Sequence, residues 1–422
     1  MREWKETELK KIGNVVSGGT PSTAIAEYWN GDILFVTPFD LSRNKFAFIE
    51  NTERKISKEG LKNSSANFLP GGSIVISSRA PIGYIAIGKK DFVTNQGCKS
   101  VVPNSHFDSL YLYYCFNFYV ERIKKLGAGS TFAEISKADL ESVKFPHPED
   151  KTEQCKIATI LSTCDSLIEK TQAAMAKYKA IKQGMLNDLF TRGIDIKTGK
   201  LRPKYEDAPE LYKDSKLGWV PKEWEDCKMG KYILENLYGP RFNANDYDEN
   251  GKVKTIRGTD FTKEGDILYN QAPKASLPNE LINTHRLRTG DIVIVTTADC
   301  GLTAVFDKPI NDVEFIPSAY SVKYRFGNDI NPYFIKYFMN TDNALRQVNK
   351  FVRQGTLGNL PGSDILKFDM VYPKTEEQNE IARRLKTIDD KLQTEQNYLQ
   401  KLQQIRAGLM GDLLSGRKRV NI

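Results

Sequence analysis

The sequence predicts an α+β protein built as an internal repeat. Two mixed α/β domains are joined by two long antiparallel coiled-coil helices, with pseudo-two-fold symmetry between the halves. The first observation is that residues 153–191 recur at 377–415, with a constant offset of 224 and no gap. Thirteen of the 39 aligned positions are identical, among them Glu153/Glu377, Gln154/Gln378, Asp165/Asp389, Gly184/Gly408 and Asp188/Asp412. A period this long belongs to a copied domain-plus-helix unit and not to a solenoid. The second observation is the spacing of apolar residues within the repeat, mostly alternating steps of three and four, the seam of a helix packed on another helix. The third lies outside the repeat, where fainter matches begin at Trp4/Trp224, Tyr111/Tyr333 and Thr131/Thr356, with offsets of 220, 222 and 225. Loops changed length there, whereas the helices could not.

Residues 1–150 read as the first domain. Stretches 32–37, 72–77 and 84–87 have strand composition bounded by Gly and Pro, and 109–125 reads as helical. Residues 151–192 form the first long helix, with seam residues Ile157, Leu161, Cys164, Ile168, Met175, Tyr178, Ile181, Met185 and Leu189. Residues 193–222, with Pro203, Pro209 and Pro221 among charges and no apolar period, read as a linker. The second domain spans 223–374, with strands expected at 290–297 and 302–306 and helix over 331–351. Residues 375–416 form the second long helix, with seam residues Ile381, Leu385, Ile388, Leu392, Leu399, Leu402, Ile405, Leu409 and Leu413. Both seams carry a polar residue at the same place, Thr171 and Glu395, which can fix register. At about 1.5 Å per residue each helix should run roughly 55–60 Å. Gly184 and Gly408 are expected to mark a kink, a close crossing or a cap. Residues 417–422 form a basic tail expected to fray.

The longest apolar run, 111–120, is too short to span a bilayer, and the charged first residues lack a signal core. Six scattered cysteines without a C-x-x-C pair suggest reduced core residues and a cytoplasmic protein. A net charge of +8 is only a weak pointer to polyanions. No phosphate loop, dinucleotide fingerprint or Asn/Asp-Pro-Pro-aromatic tetrapeptide occurs. The three histidines, His106, His147 and His285, lack a second ligand at helical spacing, so no metal site is expected. The chain reads as a binding protein without catalytic residues.

Shorter segments add a resemblance. In the first half these are Ser17-Gly-Gly-Thr-Pro-Ser, Glu27-Tyr-Trp-Asn-Gly, Ser78-Arg-Ala-Pro-Ile-Gly-Tyr and Thr94-Asn-Gln-Gly. In the second they are Tyr238-Gly-Pro-Arg-Phe-Asn, Thr255-Ile-Arg-Gly-Thr-Asp and Gly290-Asp-Ile-Val. With helices that open on Glu-Gln-x-x-Ile-Ala and close on Gly-x-x-x-Asp-Leu, the chain resembles the specificity subunit of type I restriction–modification systems. The resemblance implies two target-recognition domains, each reading one half of an asymmetric bipartite double-stranded DNA sequence, with the helices as a ruler between them. It implies no activity and no cofactor in this chain. S-adenosylmethionine would belong to two modification subunits that methylate adenine, and ATP and magnesium to two restriction (motor–nuclease) subunits.

Base readout favours Arg or Lys for guanine, Asn or Gln for adenine, and Ser or Thr as adaptable partners. Candidate readers in the first half are Thr37, Ser78, Arg79, Gln96, Lys99, Ser130 and Thr131. In the second half they are Arg241, Arg257, Thr259, Thr296, Thr297, Arg353, Gln354 and Thr356. Each competes with a role in loop structure or in phosphate contact. The other reading of the whole chain, a coiled-coil scaffold holding proteins on two divergent domains, predicts no salt-sensitive DNA binding.

Overall fold

The structure, a computed structural model, describes residues 4–127, 134–308 and 313–421. The chain forms two compact units, residues 1–173 with 396–422 and residues 174–395. Each unit takes one α/β domain, the first half of one long helix and the second half of the other. The helices run Lys151–Thr191 and Thr375–Leu413. No described helix is long and apolar enough to cross a membrane.

In the first unit, strand Lys5–Glu8 pairs antiparallel with Lys144–His147, tying the start of the domain to the foot of its helix. A five-stranded sheet runs in the order Gly13–Ser17, Cys98–Pro103, Ile74–Ser77, Ile85–Gly88, Phe48–Ile49. A second sheet places Trp29–Val36 between Arg54–Ile56 and Phe92–Thr94, the last pair parallel. The expected helix over 109–125 is Ser109–Phe118 followed by Val120–Lys124. Its Tyr111, Leu112, Cys115 and Phe116 are buried with Ile74, Ile76, Ile157, Leu161, Met410 and Leu413 in one core.

The second unit repeats this topology. Glu225–Lys228 pairs antiparallel with Asp369–Tyr372. A four-stranded sheet runs Ile233–Tyr238, Ser321–Phe326, Ile292–Val295, Thr303–Val305. A smaller sheet places Val253–Ile256 between Lys274–Ala275 and Glu314–Pro317, again with the last pair parallel. Helices Pro332–Phe338 and Asp342–Phe351 cover the larger sheet and share a core with Leu186, Leu189, Phe190, Ile381 and Leu385.

The identities shared by the two helices now have causes. Gln154 accepts from the Asp108 N–H at 3.0 Å and donates to the carbonyls of His106 and Pro148. Gln378 does the same with Asn331, Asp329 and Pro373. Tyr114 donates to Asp165 at 2.9 Å, and Tyr337 to Asp389 at 2.8 Å. Burial, with the neighbouring carboxylate second, pushes both phenols well above their ordinary value, so both remain donors. Each aspartate also meets a cation from the other helix, Arg406 on Asp165 and Lys182 on Asp389, the latter at 2.6 Å. In the first unit Glu153 meets Arg419 and Asp165 meets Arg406, and in the second Lys182 meets Asp389 and Arg202 meets Glu377, so the two chain segments run antiparallel in each unit.

Several expectations change. Ile157, Leu161, Cys164, Leu189, Ile381, Leu385, Leu402 and Leu413 are buried, and Ile168, Tyr178, Ile388 and Leu392 are half-buried. Ile181 and Ile405, equivalent by the repeat, are instead exposed, because the neighbouring Lys182 and Arg406 turn inward to the aspartates. A Cβ added at Gly184 or Gly408 would meet nothing, so no close crossing within either unit explains these glycines.

The expected linker at 193–222 is structured. Ile194–Asp195 pairs with Lys200–Leu201, and Tyr212–Lys213 with Val220–Pro221. Arg202 reaches the buried Glu377 with two bonds of 2.6 and 2.9 Å, and Glu377 also accepts from Trp224 and from the Ile194 N–H. Gly193 makes this turn at φ +64°; a side chain there would strike Trp224 and Glu377.

Through Asn421 the basic tail does not fray. Arg419 grips the buried Glu153 with two bonds of 2.5 Å, Asn421 accepts from Lys156, and Val420 packs on the core. Gly416, at φ +74°, lies against Trp4 as Gly193 lies against Trp224. Removing one partner of a buried ion pair typically costs roughly 3–5 kcal/mol. Glu377→Ala should therefore destabilise the second unit by about that much, read from its urea unfolding, and Glu153→Ala should cost the first unit less, since Arg419 is a third exposed. A wild-type midpoint for Glu377→Ala would reject the clamp.

Candidate nucleic-acid interface

In each unit four loops meet at one end of the larger sheet, and backbone hydrogen bonds repeat between the two copies. In the first unit the Gly18 N–H donates to the Cys98 carbonyl, Asn95 to Val36, Ser78 to Gly97 and Ile135 to Ser78. In the second, Gly239 donates to Ser321, Ser318 to Ile256, Thr296 to Tyr320 and Leu360 to Thr296. Two isolated bridges complete the match, Arg79 with Glu134 and Thr297 with Asn359. Thr37 is thereby equivalent to Arg257, Ser78 to Thr296, and Arg79 to Thr297.

Within this frame several candidate readers are structural. Ser78 and Thr296 are buried, at 0% and 1% exposure, and cannot reach a base edge. Their carbonyls anchor the fourth loop instead, and the Thr296 hydroxyl donates to the Tyr320 carbonyl at 2.9 Å. Thr37 caps helix Pro38–Arg43 and is engaged, through both N–H and hydroxyl, by the buried Asp40. Arg257 closes a short turn on the equivalent Asp260 through its N–H, Nε and Nη2. Helix-capping geometry, not ligand binding, explains both. Lys99 is buried too, with its ammonium 3.3 Å from Glu134.

Other candidates face outward. Gln96 is exposed and accepts from Thr20 at 2.6 Å. Arg79 is half exposed, with Nε 3.0 Å from Glu134. Arg241, Thr259 and Gln354 are exposed, and so is Thr356, while Thr297 is half-buried. Arg353 is 72% exposed and only loosely paired, 3.6 Å from Asp364. The loop carrying Arg353, Gln354 and Thr356 is closed at its base by paired bonds between Arg353 and Asn359. Ser130 and Thr131 lie outside the described residues.

Sequence reasoning missed three groups. Tyr320 and Leu357 are large, apolar and more than 60% exposed on these loops, but a search for polar readers passed over them. Glu134 was missed because no acid was sought among basic candidates. Partial burial opposes its charge, yet hydrogen bonds and charge from Arg79 and Lys99 carry its pKa below the ordinary range. The cluster is therefore intact at neutral pH and weakens only as acid approaches that lowered value. Among the described residues no group of His, Cys, Asp and Glu is placed to hold a metal ion.

Comparison with known proteins agrees with the doubled frame. A family described as the type I restriction modification DNA specificity domain matches residues 1–177 and again 221–404. The MjaIX type I restriction enzyme specificity subunit of Methanocaldococcus jannaschii is 29% identical over 432 residues, covering 99% of this chain and 94% of the relative. The EcoR124I/EcoR124II specificity subunit of Escherichia coli is 30% identical over 188 residues, 43% of this chain and 45% of that one. The crystal structure of a type I restriction-modification S subunit from M. genitalium shares the fold at a TM-score of 0.60, with 14% identity, covering 97% of this chain and 96% of that one. A chain from a structural study of assembly and conformational transition in the type I R-M system aligns at 0.54, with 14% identity and 98% coverage of each chain.

Frame and candidate reader separate by stability. Asp40→Ala and Asp260→Ala remove buried carboxylates from part-buried donors and should each cost roughly 1–3 kcal/mol. Arg353→Ala, on an exposed loop, should stay within about 0.5 kcal/mol. Thermal unfolding of the three variants checks this, and equal losses would contradict the division.

Proposed function

The chain belongs to the type I restriction–modification specificity-subunit family, and we propose that it selects an asymmetric, two-part DNA target for its complex. The observation that carries this reading is the loop frame built twice with the same backbone bonds and different exposed side chains. One domain of each kind suits one half-site of each kind, and unlike loops suit unlike half-sites. The first domain offers Arg79 and Gln96. The second offers Arg241, Arg353, Gln354, Thr356, and the apolar Tyr320 and Leu357, which suit stacking or a thymine methyl. Its share is recognition without catalysis.

The helices set the spacing between half-sites in this reading. Support comes from the gapless repeat and from the two Tyr–Asp–cation sets, which lie the same number of residues apart along both helices. The helices also carry the docking surface for two modification subunits. Ile181 and Gly184 are exposed in one unit, and Ile405 and Gly408 in the other, with open space beside each glycine. A glycine inside an exposed helix costs about 1 kcal/mol relative to alanine, so its retention in both copies favours a close-packed partner. S-adenosylmethionine would enter with those subunits, and ATP and magnesium with restriction subunits. A protein-binding scaffold without DNA is the weaker reading, since it gives no reason for the family match.

Two experiments test this. Inserting four residues at equivalent points of both helices, after Ala174 and Tyr398, should lengthen the unread gap and leave both half-sites intact; an unchanged gap would reject the ruler. Ile181→Glu and Ile405→Glu should each remove one modification subunit from the assembled complex, read by mass, with little change in unfolding temperature. Full assembly of the double variant would reject docking on these faces.

A further inference from the structure

We propose that Arg79, held by Glu134, reads a guanine in the half-site of the first domain, with Glu134 as its positioning residue. The proposal rests on the DNA-reading function above and gives it a base and a geometry. The Arg79 and Glu134 backbones are joined by an antiparallel bridge, and the Ile135 N–H donates to the Ser78 carbonyl at 2.9 Å, so both side chains spring from fixed points. Glu134 takes Nε of Arg79 on Oε2 at 3.0 Å and Nζ of Lys99 on Oε1 at 3.3 Å. Lys99 is 8% exposed, Glu134 35% and Arg79 55%, so the set is ordered from the interior outward. The buried ammonium pins the carboxylate, and the carboxylate pins the guanidinium.

The remaining atoms decide the ligand. Among the described residues the two Nη groups of Arg79 make no hydrogen bond. A guanidinium gripped by Nε keeps its terminal fork for a pair of acceptors. In the major groove guanine offers such a pair, O6 and N7. A side chain already held loses less freedom on binding, which favours a specific contact over a mobile one.

A structural role does not account for Arg79: its pair with Glu134 lies on exposed side chains and adds little to stability, whereas Glu134 also answers the buried Lys99. The second unit keeps the same bridge with Thr297 and Asn359, and Val322 stands where Lys99 would be, across from Ile294 as Lys99 is from Ile76. All three charges are absent together while the frame persists, so the frame does not require them.

The test uses the full chain assembled with its modification subunit and a pool of random-sequence duplexes. The wild type should enrich a two-part motif with a G·C pair at one position of one half-site. Arg79→Ala should lose preference at that position alone, by roughly 10- to 100-fold, with the other half-site and the unfolding temperature unchanged. Arg79→Lys should not restore it, because an ammonium lacks the fork. Glu134→Ala should relax the same position without weakening binding to random DNA, and Glu134→Gln, which still offers an acceptor to Nε, should retain most of the preference. Uniform weakening over all sequences in Arg79→Ala would make Arg79 a phosphate contact and overturn the proposal. Unchanged discrimination in Glu134→Ala would overturn the positioning role. Failure of the wild type to enrich any two-part motif would instead overturn the DNA reading on which the proposal rests.

Discussion

A carboxylate that loses its water must find a cation, and the fold is arranged around two such acids. Glu153 and Glu377 open the two long helices at 1% and 3% exposure. Neither is answered from its own helix. Arg419, just past the end of the second helix, serves the first acid, and Arg202, past the end of the first helix, serves the second. An uncompensated charge at that depth is expensive enough that each unit closes only when the end of one helix lies beside the start of the other. Antiparallel pairing, docking of the tail and ordering of residues 193–222 all follow from that demand.

The architecture is legible because its constraints recur in register within the chain. Glu-Gln at the helix start, an aspartate farther along and the three–four apolar step recur in register, and each has a fixed partner in its unit. The tail and residues 193–222 were misread for the opposite reason. Arg202 and Arg419 pair with residues more than 170 positions away. No nearby pattern distinguishes a buried arginine from one in solvent, and low apolar periodicity with several prolines describes a tight crossover as well as a loose linker. Ile181 and Ile405 were placed on the seam by spacing alone; the inward turn of the adjacent cations became visible only with their partners.

At the candidate loops the sequence singles out segments that the structure brings together, but several of the residues chosen there hold the frame. Ser78, Thr296, Thr37 and Arg257 have the chemistry of base readers, but a hydroxyl or guanidinium at a tight turn is equally suited to hold that turn. Burial and capping partners separate these uses, and both depend on tertiary contacts. What survives outward, Arg79, Gln96, Arg241, Arg353 and Gln354, sits on a backbone that other residues have already fixed. Residues that hold the frame and residues left exposed are thus divided within single loops, sometimes between neighbours such as Ser78 and Arg79.

The Asp165–Arg406 and Asp389–Lys182 contacts also limit how this chain can diversify. A helix returns a side chain to the same face about every 3.6 residues, advancing about 5.4 Å per turn. Changes of length that keep these contacts facing each other come in near-whole turns, and each turn exceeds the roughly 3.4 Å rise of one base pair. Drift in the loops can be gradual, one side chain at a time. Under the ruler role proposed above, drift in spacing is quantised, so a lineage carrying this fold would move between target lengths in jumps from one register to the next.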